Sequence, residues 1–126
     1  MKRSAKGFRR IENVTRGVVL ATHCRVANTF FSRFRGLMGV ASLQPGEGLL
    51  LIPSQSIHTH FMRFPIDVLY LDASWRIAAI EEGMPPWRLG RYYRQAHKVL
   101  ELPAGVVRAS GSQVGDLVQV RPPLES

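Results

Sequence analysis

Two short runs constrain this chain more than anything else in it. Leu49-Leu50-Leu51-Ile52 and the stretch from Ile66 to Asp72 are apolar at nearly every position. A strand with one wet face alternates apolar and polar residues, so a short run that does not alternate belongs to a strand covered on both sides. Pro53 and Ser54 break the first run, and Asp72-Ala73-Ser74 makes a turn after the second, so neither can extend into an ordinary helix.

The remaining segments repeat the strand signal. From Gly17, Val18, Leu20, Thr22, Cys24 and Val26 share one face and His23 and Arg25 the other, which makes His23 a surface residue. Trp75, Ile77 and Ala79 alternate with Arg76 and Ala78 until Met84-Pro85-Pro86-Trp87, where two prolines remove ladder donors. A strand is expected over 97–102, one helical turn over 106–112 and a last strand over 117–121, closed by Pro122 and Pro123. Asn28 or Thr29 can cap a short helix whose Phe30, Phe31, Phe34, Leu37 and Met38 form one stripe, limited by Gly36 and Gly39. The three phenylalanines predict a plug packed on the sheet, with Arg33 and Arg35 at its edge. About seven short strands and one or two brief helices predict a mainly β fold, a small antiparallel β-sandwich or barrel, over any βαβ arrangement.

At 126 residues the chain is expected to form one domain, spanning 17–121, between a flexible basic arm over 1–16 and a short tail over 122–126. The formal charge of +8 raises a nucleic-acid or anionic-surface reading. Part of the excess is Lys2, Arg3, Lys6, Arg9, Arg10 and Arg16 in the arm, against Glu12. A second concentration, Arg88, Arg91, Arg94 and Lys98, lies among Trp87, Tyr92 and Tyr93, where aromatics between cations could stack bases. The single cysteine, Cys24, cannot close an intrachain bridge and points inward as a small apolar residue. A cytoplasmic home is the simplest expectation, because the apolar run 18–21 is too short for an export signal and no segment is long enough to span a membrane.

The chemistry concentrates in residues 56–72, SIHTHFMRFPIDVLYLD. A hairpin turning at Arg63-Phe64-Pro65 would set His60 opposite Val68 and His58 opposite Tyr70, with Asp67 on the other face. His58 and His60 could begin a metal site, and a metal-dependent hydrolase is one reading, but Asp67 is then turned away and no third ligand is identifiable. Asp67 is expected to pair with Arg63 or to cap turn amides. Glu81 and Glu82 point to opposite strand faces and cannot act together as acid and base. Neither a nucleophile elbow nor a phosphate-cradling glycine loop occurs, so no cofactor is expected. The favoured reading is non-enzymatic binding of a small ligand or protein segment by His58, His60, Tyr70 and Trp87, with Arg35 nearby.

The motifs Arg35-Gly36-Leu37-Met38, His58-Thr59-His60-Phe61-Met62-Arg63-Phe64-Pro65-Ile66-Asp67-Val68, Pro86-Trp87, Val99-Leu100-Glu101-Leu102-Pro103-Ala104-Gly105 and Gly115-Asp116 resemble, in order and spacing, the bacterial and archaeal family called domain of unknown function 192. The resemblance covers roughly Gly17 to Arg121. His58 stands where many members have a tryptophan, and Val40 where an arginine often follows the Gly-Leu-Met motif. It implies a small, mainly β protein with short helices, with Gly36, Met38, Pro65, Asp67, Glu101, Gly105 and Asp116 as structural motif residues. It implies no reaction.

Overall fold

The computed structural model describes residues 7–124. Seven strands and two short helices follow in the order β1 (Phe8–Asn13), β2 (Val18–Ala27), α1 (Phe30–Arg35), β3 (Glu47–Leu51), β4 (Ile66–Leu71), β5 (Ile77–Met84), β6 (Lys98–Pro103), α2 (Val106–Ser110) and β7 (Val118–Arg121). The strands form one sheet in the order β5-β4-β6-β3-β2-β1-β7. Its two edge strands are drawn together at one end. Arg76 bridges Leu117, the Ile77 amide donates to the Asp116 carbonyl at 2.9 Å, and the Val118 amide donates to the Trp75 carbonyl at 2.9 Å. The fold is therefore mainly β and barrel-like, as the alternation of short strands predicts.

The non-alternating runs occupy the middle of the sheet, where both faces are covered. Leu50, Leu69, Leu71, Leu100 and Leu102 pack with Ile11, Leu20, Cys24 and Val118 in one core. Their neighbours Leu49, Leu51, Val68, Tyr70 and Val99 pack on the opposite face with Leu37, Ile57, Met62 and Met84. Each fully buried leucine contributes roughly 2 kcal/mol of transfer free energy, so both layers are needed to hold so small a domain. Burial also pushes the Cys24 thiol up to about 12, which keeps it protonated.

Several expectations are corrected. Residues 8–13, assigned to the arm, are β1, hydrogen-bonded to both β2 and β7; residues 1–6 and 125–126 lie outside the described residues. Alternation is weak in FRRIEN because β1 bulges at Arg9 to Glu12, which hides the strand signal. β2 and β3 run parallel, with α1 in the crossover, whereas every other pair among the described residues is antiparallel. Residues 56–62 do not form a hairpin with β4, whose partners are β5 and β6. Phe61 has φ +64°, which breaks extended backbone, and the segment becomes a loop over the outer layer.

The short helix begins as expected. Thr29 Oγ1 accepts from the Ser32 amide at 3.1 Å, and Ser32 Oγ accepts from the Thr29 amide at 3.0 Å, a reciprocal cap. Its phenylalanines do not plug the sheet: Phe30, Phe31 and Phe34 are 79%, 70% and 57% exposed. Gly36, at φ +49°, ends the helix after six residues, and the chain then turns Leu37 into the outer core instead.

Two buried acids lock the loops. Asp67 Oδ1 accepts from the Gly83 amide at 2.8 Å, and Oδ2 accepts from the amides of Gly105 at 3.0 Å and Val107 at 2.9 Å. Asp67 thus caps turn amides, drawn from β5 and the start of α2. Asp116 accepts from Arg16 Nε at 2.9 Å, Asn13 Nδ2 at 2.9 Å and the Gln113 amide at 3.0 Å. The Arg16 hydrogen bond is the main reason its carboxyl falls to about 2.

Candidate functional site

A cavity of about 230 Å³ opens on the outer face of the sheet, between α1 and the loop over 54–62. The sheet supplies its floor with Leu51 and Glu101; Phe34, Arg35 and Leu37 wall one side, and Ile57, His58 and Met62 the other. Such a volume is below the usual range of drug-sized pockets.

Glu101 is the unusual group. It pairs in the ladder with Leu49 and Val68, so its side chain enters the apolar outer layer rather than water. The residue is 2% exposed, and among the described residues Oε1 has no hydrogen-bond partner. Burial pushes the carboxyl up to about 8. At neutral pH Glu101 is therefore a neutral acid with an O–H to donate at the bottom of a cavity.

His58 holds the wall of that cavity through the backbone. Its Nδ1 accepts from the His60 amide at 3.2 Å, which leaves Nε2 to donate to the Phe34 carbonyl at 3.3 Å. Both nitrogens are engaged, and the neutral tautomer with hydrogen on Nε2 is specified by those partners. The ring ties the loop to the carboxyl-terminal half of α1. From it an aromatic chain runs outward: Phe34 to His58 at 5.8 Å, His58 to His60 at 5.3 Å, His60 to Trp87 at 5.8 Å and Trp87 to Phe61 at 4.7 Å between ring centroids.

Thr59 joins this loop to the next. Buried between them, its hydroxyl donates to the Pro85 carbonyl at 2.7 Å and accepts from the Arg88 amide at 2.8 Å. The Trp87 amide donates to the Thr59 carbonyl at 2.8 Å, and Trp87 itself has φ +63°. Trp87 is placed beside His60 by that strained turn, not by a strand.

Of the residues singled out in the sequence, His58, His60, Trp87 and Arg35 are brought to one region, and Tyr70 is not. Tyr70 is fully buried beneath the loop, donates its hydroxyl to Glu81 at 2.8 Å and packs on Tyr93 at 4.3 Å. Burial and that hydrogen bond raise its pKa, so it acts as a structural phenol. Asp67 has both oxygens committed to amides, and among the described residues no group of three His, Cys, Asp or Glu side chains could hold a metal. Arg88, Arg91 and Arg94 are exposed in the loop after β5. Lys98 leaves that group: it is buried on β6, its Nζ donating to the Asp72 carbonyl at 2.9 Å and lying 4.1 Å from the Trp75 ring centre. A lysine in a strand covered on both sides must satisfy its ammonium locally.

Residues 11–120 of the chain match the family described as "Uncharacterized ACR, COG1430", or DUF192. The chain belongs to the DUF192 family. It is similar to a UPF0127 protein of Thermococcus sibiricus, 36% identical over 112 residues that cover 82% of this chain and 70% of that protein. A UPF0127 protein of Thermococcus gammatolerans is 34% identical over 113 residues, covering 86% of this chain and 72% of its own length. The crystal structure of a protein of unknown function from Novosphingobium aromaticivorans superposes with a TM-score of 0.77 at 21% identity, covering 89% of this chain and 83% of that one. That likeness concerns the fold.

In this DUF192 chain the motif segments around Arg35, His58, Trp87 and Glu101 come from four places in the sequence and meet on the outer face. Sequence reasoning counted Glu101 with the structural residues. The available signal was an acid between Leu100 and Leu102, in a strand apolar on both faces, where a charge has no route to water. Thr59 carried no such signal, because its partners are carbonyls and amides of a distant loop. Among the described residues, no helix is long and apolar enough to cross a membrane.

Proposed function

We propose that this DUF192 protein is a binding module, not an enzyme, and that it takes a small ligand in the cavity between α1 and the loop over 54–62. The observation that carries the reading is the buried carboxyl of Glu101, a residue that lines this cavity and whose Oε1, itself buried, is without a hydrogen-bond partner among the described residues. A polar group left without a partner in an apolar layer costs about 1–3 kcal/mol, and a ligand that supplies the partner recovers it. His58 serves as a positioning residue and Arg35 as the nearby charge. Screening a mixed panel of small metabolites by amide chemical shifts is expected to move residues of α1, the 54–58 loop and Glu101 together. Met38→Trp, which narrows the cavity from a half-exposed position, is expected to remove those shifts by at least tenfold in affinity with the spectrum otherwise intact. Shifts confined to another face, or none across the panel, would overturn the reading.

A second reading is supported by the surface around the cavity, which carries exposed Arg35, Arg63, Arg88, Arg91 and Arg94 with Phe30, Phe61, Trp87 and Tyr92. Residues 28–40, 52–66 and 85–100, which build it, contain no Asp or Glu. Cations among exposed aromatics suit a nucleic acid or another anionic surface. The expected result is binding to oligonucleotides or anionic vesicles that weakens steeply between low and physiological salt, and weakens further in Trp87→Ala. Absence of binding to both at low salt removes this reading.

A further inference from the structure

The cavity carries more information than its volume. Besides Glu101, the polar residues Ser54, Ser56 and His58 line it. The Ser54 hydroxyl donates to the Ser56 carbonyl at 2.8 Å, the Ser56 hydroxyl donates to the Gly90 carbonyl at 3.3 Å and both His58 nitrogens are engaged. Among the described residues, that leaves Glu101 as the lining side chain with a buried, unpartnered polar atom. The rim carries Arg33 and Arg35, and among the described residues the lining holds no second acid. A ligand's polar end must therefore meet a buried carboxyl within reach of a positive rim, while its remaining surface meets Phe34, Leu37 and Met62.

Resting on the small-ligand reading above, we infer that the cavity is built for a small carboxylic acid, whose carboxylate accepts the O–H of Glu101 and whose charge is balanced by Arg35. Two carboxyl groups facing each other hold one proton between them, because two adjacent anions in an apolar site repel strongly. The pair then carries a single negative charge, which the guanidinium of Arg35 neutralises. An amine would meet the opposite field: its charge would have to pass Arg33 and Arg35, on a protein that is already +8. The elevated pKa of Glu101, about 8, is consistent with a group that enters the complex as the proton donor. The hydrocarbon end of the acid lies against Phe34 and Met62, and a chain of a few carbons fits within about 230 Å³.

Three probes of the same chain length separate the possibilities: butyrate, butyramide and butylamine, titrated into the protein with amide chemical shifts as the readout. Butyrate is expected to shift Glu101, Arg35 and Leu51, to bind at least tenfold more tightly than butyramide, and to leave butylamine without measurable binding. Above about pH 8, where Glu101 loses its proton, the affinity for butyrate is expected to fall about tenfold per pH unit. Glu101→Gln, whose amide still donates, should bind butyrate with no such fall, and Arg35→Ala should bind it at least tenfold more weakly at every pH. Tighter binding of butylamine overturns the acid class, as does equal binding of butyrate and butyramide, and either leaves the cavity as a small-ligand site. Failure of all three probes while other metabolites still shift the cavity residues also overturns the acid class alone. Failure of every compound defeats the small-ligand reading itself.

Discussion

Replacing Asp67 by alanine is expected to lower the stability of the protein by about 3 kcal/mol or more, the largest loss from any single side chain discussed above. The carboxylate accepts three amide hydrogens, from Gly83, Gly105 and Val107, and the residue is 1% exposed. Each amide left without an acceptor in that interior costs about 1 kcal/mol or more. Gly83 and Gly105 hold φ of +61° and +101°, so two turns the chain adopts only with glycine are fastened to the same carboxylate. Losing it frees the end of β5 and the start of α2 together. Urea unfolding followed by circular dichroism should show a lower midpoint with an unchanged slope, and a melting temperature lower by roughly 10 °C or more. Asp67→Asn keeps one acceptor oxygen and should fall between the two. A loss below about 1 kcal/mol for the alanine variant would mean that the three amides find water or other partners, and the capping role would be withdrawn.

Glu101→Gln is expected to act in the opposite direction, and only in part of the pH range. In the unfolded chain Glu101 ionises near 4.5, whereas in the fold it holds its proton up to about 8 because burial disfavours the charge. Between those values the unfolded state has released a proton that the native state keeps. The contribution of Glu101 to stability is therefore greatest below 4.5 and declines as pH rises toward 8, at up to about 1.4 kcal/mol per pH unit. Glutamine has the same shape and no proton to lose. The variant should match the wild type near pH 4.5 and exceed it at pH 8 by a few kcal/mol, on the order of 2–5. Denaturant melts of both proteins at several pH values measure this directly. Parallel pH curves for the two proteins would show that Glu101 ionises normally, and with it the neutral acid at the cavity floor would be lost. A residue that weakens its own fold at neutral pH is the pattern expected of a site held ready for a partner.

The correct and incorrect readings of this chain divide along one physical line. Local signals survived folding. Proline and glycine placed the ends of β3, β5 and β7; Thr29 capped the helix that its position predicts; Cys24 was buried as the period of two requires. β1 escaped because its bulge hides the alternation, and most other differences concern pairing. A three-residue loop at 63–65 suits a hairpin of 56–62 with β4, but β4 is apolar on both faces and accepts partners on both edges, and β5 and β6 occupy them. Tyr70 left the candidate site for that reason. Lys98 left the basic loop because it lies in β6, and the phenylalanines of α1 stayed in solvent because Gly36 stops the helix before its stripe can reach the sheet.

The sequence alone therefore determined the mainly β class of fold, the places of most of its strands other than β1, and membership of the DUF192 family. These depend on residue spacing within about ten positions, where side-chain period and backbone restriction act directly. Which strands are neighbours, which side chains meet across the sheet and which polar group is left alone depend on contacts between distant segments. Only the tertiary structure could decide those. Glu101 shows why: its neighbours in sequence predict burial, but whether a buried carboxyl finds a partner is settled by α1 and the 54–62 loop, about forty residues or more upstream.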